Sequence, residues 1–238
     1  MSFRKTRFVQ KYSPRKFSDF IGSSNVVQTL KNGFKIGSPF ATILITGPTG
    51  VGKTALARVI QYSLSCTKFN KKTGDACGKC DYCKCRLNMP WIDHKLEESQ
   101  GFIKEMRFEI LKNRKMKILF GNPIIHFLDE IHLLKKDAQT KLLKTLDILG
   151  PYTFVIATTS EPQLLISPLR GRFIEIALFP PSKSDIQKLA DRVQKKESVE
   201  VNSDILNRIY MQNSGDFRRT LHQLELAVAD VKARKEDK

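Results

Sequence analysis

The segment Gly47-Pro-Thr-Gly-Val-Gly-Lys53-Thr54 constrains this chain more than any other. It fits G-x-x-x-x-G-K-[ST] at every fixed position. An apolar run, Ala41–Thr46, precedes it, and Leu56, Val59, Ile60 and Leu64 follow at helical spacing. Strand, glycine-rich loop and helix open a parallel α/β sheet. Glycines let successive backbone N–H groups curl around a phosphate, and the helix N-terminus adds the positive end of its dipole. Gly47, Pro48, Thr49, Gly50, Val51, Gly52 and Ala55 then frame the phosphates. Lys53 reaches the β- and γ-oxygens, and the Thr54 hydroxyl ligates Mg²⁺. The alternative is a glycine turn that merely precedes a helix.

A triphosphate site also needs a carboxylate near the metal and a group that orients water. Pro123–Leu128 reads as a strand and ends on Asp129-Glu130. Asp129 is expected in the Mg²⁺ shell, and Glu130, pointing the other way, polarises the attacking water. Read without the upstream loop, the two acids could simply cap the next helix.

Further strands are expected at Trp91–Leu96, Thr153–Thr158 and Phe173–Leu178, with helices at Asn25–Ile36, Phe102–Leu111 and Lys136–Leu146. Strands alternating with helices predict a doubly wound sheet. Pro180-Pro181 marks a boundary, beyond which only helical patterns occur. Ile186, Leu189, Ala190 and Val193 make one face; Ile205, Leu206 and Ile209 a second; Phe217, Leu221, Leu224, Val228 and Val231 a third. The expected division is therefore 1–179 as the nucleotide-binding core and 180–238 as a small three-helix domain.

The chain has 238 residues, with 41 Lys and Arg against 24 Asp and Glu, a formal net charge of +17. That excess favours a polyanionic partner, nucleic acid first. No apolar run is long enough to span a membrane, and the basic, polar start lacks the apolar core of a secretory signal. A cytoplasmic protein is expected. All 5 cysteines lie within residues 66–85. Cys77-Gly-Lys-Cys80-Asp-Tyr-Cys83, with Cys66 upstream, offers four thiolates that can close a tetrahedral Zn²⁺ site of structural type. Cys85 competes with Cys83 for the fourth position; free thiols and disulfides are the other readings. His126 reads as strand packing, and His94, His132 and His222 as surface residues.

Taken together, these features resemble the ATPase subunits of bacterial clamp loaders, of the gamma/tau type of DNA polymerase III, within the AAA+ superfamily. Lys11-Tyr-Ser-Pro-Arg-Lys-Phe-Ser-Asp-Phe-Ile-Gly22 looks like that family's opening segment, which implies that Tyr12 and Pro14 lie near the adenine. The cysteine cluster resembles its zinc module, inserted after the P-loop helix. Leu128-Asp-Glu-Ile-His132 looks like its Walker B segment, following the Walker A loop at Gly47–Thr54. Ala157-Thr-Thr159 resembles sensor 1, implying that Thr159 reads the γ-phosphate. Gly215-Asp-Phe-Arg218 resembles sensor 2, which brings Arg218 to the nucleotide from a helical lid.

The resemblance implies an ATP- and Mg²⁺-dependent enzyme that opens a sliding clamp and loads it on primer–template DNA. It also implies partner subunits in a ring or spiral, and a setting on the nucleoid. Ser167-Pro-Leu-Arg170-Gly-Arg172-Phe173 departs from the clamp-loader finger motif and looks more like the branch-migration motors of the same superfamily. Arg172, with Arg170 as second choice, is expected to reach a neighbour's site in trans. The helical collar of clamp loaders has no counterpart here, so partners are expected to supply it. The other readings are a branch-migration type of DNA motor and a non-hydrolysing scaffold subunit.

Overall fold

The apolar runs pair as parallel strands. The structure, a computed structural model, describes residues 7–37, 40–84, 91–93, 101–116, 123–150, 152–213 and 215–236. Strands β1 (Thr42–Thr46), β2 (Trp91–Asp93), β3 (Ile124–Leu128), β4 (Thr153–Thr159) and β5 (Ile174–Ala177) form one sheet in the order β2-β3-β4-β1-β5. Every neighbouring pair is parallel. All seven residues of β4 are buried, as expected for the middle of a parallel sheet covered on both faces.

Side-chain alternation along the strands divides the core in two. Ile43, Ile45, Phe127 and Ile156 face one layer with Leu30 and Phe34 of α2 (Ser24–Lys35) and Leu56 and Ile60 of α3 (Lys53–Ser65). Leu44, Leu128, Val155 and Ala157 face the other. That layer contains Met106 and Ile110 of α4 (Gly101–Met116), Leu142 of α5 (Lys136–Leu146) and Leu169 of the short α6 (Ser167–Arg170). Helices on both faces make the sheet doubly wound, as the sequence pattern predicts. The predicted strand beginning at Trp91 ends at Asp93, and residues 94–96 lie outside the described residues.

After β5 the chain forms α7 (Lys183–Glu197), α8 (Ser203–Asn213) and α9 (Phe217–Glu236). Helix α7 starts on a full capping box, in which Ser182 and Asp185 satisfy each other's backbone N–H. The three helices bury Leu189, Val193, Ile209, Leu221, Leu224 and Val228 together. Phe8 and Tyr12, from α1 (Phe8–Lys11) and its C-cap, enter the same core.

The N-terminal segment therefore works as a strap, which the division at residue 179 does not anticipate. Past the helical domain it places Phe17 in the sheet core. Arg192 donates to the Asp19 carbonyl at 2.7 Å, and the Ser18 amide donates to Asp75 at 3.1 Å. Its anchor is Glu197, whose side chain is 7% exposed and accepts hydrogen bonds from Lys11, from the Tyr12 hydroxyl at 2.8 Å and from Lys232 at 2.7 Å. Burial pushes the Glu197 carboxyl up, but the Lys11, Lys232 and Tyr12 hydrogen bonds outweigh it and bring its pKa to about 2, from 4.5.

Glu197→Gln is expected to lower stability at neutral pH by about 1–2 kcal/mol, the order of a charged hydrogen bond. A folded pKa below the unfolded value makes this contribution present above about pH 4.5 and lost as pH falls toward 2. Denaturant titrations of both proteins across that range should show the gap closing on the acid side.

Candidate functional site

The loop after β1 carries its glycines where the backbone needs them. Gly47, Gly50 and Gly52 have φ of 144°, 82° and 103°, conformations that side chains disfavour. A Cβ on Gly47 would collide with the Leu178 carbonyl, and one on Gly50 with the Asp216 carboxylate. Pro48 and Thr49 are exposed, while Val51 is buried and anchors the loop in the core. Thr54 and Ala55 follow Lys53 in the first turn of α3, half-buried. A left-handed glycine loop that leads into a helix N-terminus is an arrangement suited to phosphate.

Lys53 is only 5% exposed, and its ammonium is fully engaged. It donates to the Gly47 carbonyl at 2.9 Å and the Pro48 carbonyl at 3.2 Å, and lies 3.3 Å from Glu130 Oε1. Asp129 and Glu130 follow β3, alongside Thr158 and Thr159 at the end of β4. The Thr158 hydroxyl donates to Asp129 Oδ1 and accepts from the Glu130 amide at 3.0 Å. Glu130 adopts φ 50° and ψ 54°, a strained conformation for a side-chain-bearing residue. Its Oε2 accepts from the Ser160 amide at 3.0 Å and the Ser160 hydroxyl at 3.2 Å. Lys53, Asp129, Glu130 and Thr159 are therefore brought together, with Thr54 and Ala55 on the adjoining helix turn.

Thr158, Ser160 and His132 complete the site without having been singled out in the sequence. Thr158 is fully buried and holds both acids, and two threonines ending an apolar strand were the available signal. His132, expected at the surface, instead has a side chain only 11% exposed. Its spacing to other histidines and to cysteines carries no information, because its contacts are Thr159 at the end of β4, Glu161 just beyond it and Glu130 in its own loop.

Other expected residues lie further out. Arg218 is exposed in the first turn of α9, next to Phe217, whose amide donates to the Gly50 carbonyl at 3.0 Å. The lid thus touches the phosphate loop directly. Tyr12 sits in the lid core with its hydroxyl on Glu197, and Pro14 lies half-buried two residues on. Burial raises the Tyr12 pKa, and the Glu197 hydrogen bond raises it further. Arg170 is exposed and binds Glu175 through two nitrogens, at 2.6 and 2.9 Å. Arg172, also exposed, donates to Asp147 at 2.8 Å.

The cysteine cluster forms a second site. The sulfurs of Cys66, Cys77, Cys80 and Cys83 lie within 4.8 Å of one another. Cys77 and Cys83 Sγ are 3.9 Å apart, close to the edge of a tetrahedron with metal–sulfur bonds of about 2.3 Å. The Cys77 amide donates to Cys66 Sγ at 3.2 Å, and those of Lys79 and Cys80 donate to Cys77 Sγ at 3.3 Å. Backbone N–H groups directed at sulfur favour thiolates. Burial pushes Cys80 up, but the Cys83 amide and thiol outweigh it and bring it to about 6; burial raises Cys66 and Cys83. The four-cysteine set fits a metal ion. Cys85, the competing ligand, lies outside the described residues.

Sheet order, phosphate loop and acidic strand end define a P-loop nucleotide-binding protein. The sequence profile of the AAA family, the ATPases associated with various cellular activities, matches residues 43–181, and the chain belongs to that family. Within it the chain is homologous to DNA polymerase III gamma/tau subunits. It is 26% identical over 221 residues to the subunit tau/gamma of Haemophilus influenzae, across 92% of this chain and 32% of that protein. It is 30% identical over 233 residues to subunit gamma of Buchnera aphidicola from Acyrthosiphon pisum, across 92% of this chain and 60% of that one. The Archaeoglobus fulgidus replication factor C small subunit is 27% identical over 223 residues, 93% of this chain and 64% of that one. The chain thus spans less than two thirds of the length of each of these relatives. Among solved structures, the Thermotoga maritima RuvB Holliday junction branch migration motor shares the fold, with a TM-score of 0.64 and 23% identity over 92% of this chain and 65% of that one. Among the described residues, no helix is long and apolar enough to cross a membrane.

Gly50→Ala combines a left-handed backbone with a clash against Asp216. It is expected to weaken nucleotide binding by about tenfold or more, from roughly 1–2 kcal/mol of backbone strain alone. Titration with a fluorescent ATP analogue, with circular dichroism to confirm the fold, checks this.

Proposed function

We propose that this chain is the ATPase module of a clamp loader, which binds ATP with Mg²⁺ and opens and loads a sliding clamp onto primer–template DNA. The observation that carries the ATPase reading is the meeting of Lys53 and Glu130 at 3.3 Å over the glycine loop, with Asp129 and Thr159 beside them. Lys53 is placed to exchange its carbonyl and carboxylate partners for phosphate oxygens. Glu130 then polarises the attacking water, and Thr159 donates to the γ-phosphate. Thr54 and Asp129 offer a hydroxyl and an oriented carboxylate, hard oxygen donors that suit Mg²⁺. A Mg²⁺ held there neutralises charge on the phosphate oxygens. Arg218 approaches the nucleotide from the lid, and Tyr12 and Pro14 border the adenine side.

Residues 1–179, apart from the strap residues Phe8 and Tyr12 that pack in the helical domain, make up the nucleotide-binding core, with the cysteine module at 66–85, and 180–238 the lid. The clamp-loading part is supported by the homology to gamma/tau and replication factor C proteins and by the +17 charge, which suits a surface following a polyanion. Other clamp-loader subunits complete a ring or spiral and receive Arg172, or Arg170, in trans. The setting we propose is the cytoplasm, on the nucleoid. Zn²⁺ fills the closed four-cysteine site and staples an insertion that has little core of its own.

Lys53→Ala is expected to abolish ATP binding or turnover. Arg172→Ala should leave binding intact and reduce hydrolysis in the assembly by roughly 10³-fold; normal turnover in that variant would move the finger to Arg170. Native mass spectrometry with a non-hydrolysable ATP analogue and a primer–template duplex tests the assembly. A pentamer, or a mixed ring once partner subunits are added, supports the clamp loader. A closed hexamer without partners would replace it with a DNA motor of the branch-migration type.

Metal analysis should find about one zinc per chain. Cys80→Ser should remove it and lower the melting temperature while nucleotide binding survives.

A further inference from the structure

His132 lies in the turn Ile131–Leu133 that follows Glu130. Its Nδ1 is 3.0 Å from Thr159 Oγ1 and 3.3 Å from Glu130 Oε2, and its Nε2 is 3.7 Å from Glu161 Oε1. Thr159 Oγ1 also accepts the Glu161 amide hydrogen at 3.0 Å. One imidazole therefore touches the residue placed to read the γ-phosphate and the residue placed to polarise water.

A hydroxyl has two lone pairs and a single proton. If Nδ1 is bare, it takes the Thr159 proton, and the threonine has nothing left to donate to a phosphate oxygen. If Nδ1 carries hydrogen, that hydrogen and the Glu161 amide fill both lone pairs, and the threonine proton must be directed elsewhere. The surroundings select the second case. Carboxylate oxygens face both ring nitrogens, Glu130 on Nδ1 and Glu161 on Nε2, and ionised carboxylates accept only. Lys53 meets the opposite oxygen of Glu130, Oε1, and leaves Oε2 to Ser160 and the imidazole.

We infer that His132 is a positioning residue for ATP hydrolysis. Its Nδ1–H fixes the donor direction of the Thr159 hydroxyl and tethers the Glu130 carboxylate, so that both present their working atoms to the same nucleotide. The inference rests on the ATPase reading above and adds a residue to it.

His132→Leu and His132→Asn separate this role from packing. Asparagine returns an N–H donor near the position of Nδ1; leucine fills space without one. Binding of ADP and of the non-hydrolysable analogue AMP-PNP is measured together with steady-state hydrolysis, with Lys53→Ala as the inactive reference. His132→Leu should lose about tenfold in kcat and about tenfold in preference for AMP-PNP over ADP, the order of one charge-assisted hydrogen bond. Its ADP affinity and melting temperature should stay close to wild type. His132→Asn should recover most of both losses. A leucine variant that keeps the AMP-PNP preference and the turnover, or an asparagine variant that falls as far as leucine, overturns the inference and leaves the ATPase reading standing. If the wild type binds neither nucleotide, the ATPase reading itself fails and the inference falls with it.

Discussion

Thr46 pairs with Thr159 across the β1–β4 ladder, and Leu128 pairs with Ala157 across β3–β4, so three strands end at nearly the same height. The loop after each strand then opens on one crevice: glycine loop, acid pair and Thr159. The Gly47 amide continues the ladder by donating to the Thr159 carbonyl at 3.3 Å. A register shift of one residue would turn Ile43 and Ile45 out of their core layer and break the site with it. Burial of both sheet faces therefore specifies the active-site geometry. Ligand crevices at the carboxyl ends of parallel strands follow from the same logic.

The lid and the strap extend that constraint beyond the sheet. Asp216 lies against Gly50, and the Phe217 amide binds the Gly50 carbonyl, so movement of the phosphate loop is felt at the start of α9. Phe20 of the strap lies beside Gly52, the last loop glycine, while Phe8 and Tyr12 are sunk in the lid core. The same strap meets the cysteine module, where the Ser18 amide binds Asp75 and Asp75 pairs with Lys31 of α2 at 3.3 Å. Lid, phosphate loop and metal-fitted insertion are thus joined by one short segment. That arrangement gives the insertion a mechanical connection to the nucleotide end, although its sulfurs are arranged as a closed site.

Much of this was legible because it is local. The phosphate loop, the acid pair, the four cysteines and the alternation of strands and helices depend on residues near one another in the chain, and each lies where its pattern implies. What was not legible depends on pairing between distant segments. Nothing near Trp91 shows that its strand lies at the edge beside β3, because that position is decided by the covering of both sheet faces. The role of Thr158 requires knowing that β3 and β4 are neighbours. His132 looks like a surface residue in the sequence, because its partners Thr159 and Glu161 are more than twenty residues away. The Tyr12 hydroxyl is satisfied by Glu197, 185 positions along the chain.

The two candidate finger arginines show how a distant pairing changes the chemistry rather than merely the description. Each already has a carboxylate, Arg170 on Glu175 and Arg172 on Asp147, and the ion pair raises each guanidinium's pKa. Such pairs at an exposed surface hold their partners weakly, because water solvates both when they separate. An arginine that enters a neighbour's dry site and meets the charge of a transferring phosphoryl group is associated with roughly 10³-fold or more in rate. That effect is far larger than the hold of an exposed ion pair, so neither pair would restrain its arginine if a partner's site took it up. They differ in one respect: Arg170 is gripped through two nitrogens and Arg172 through one. Bidentate pairing adds geometric hold as well as energy. Release is therefore easier for Arg172 than for Arg170.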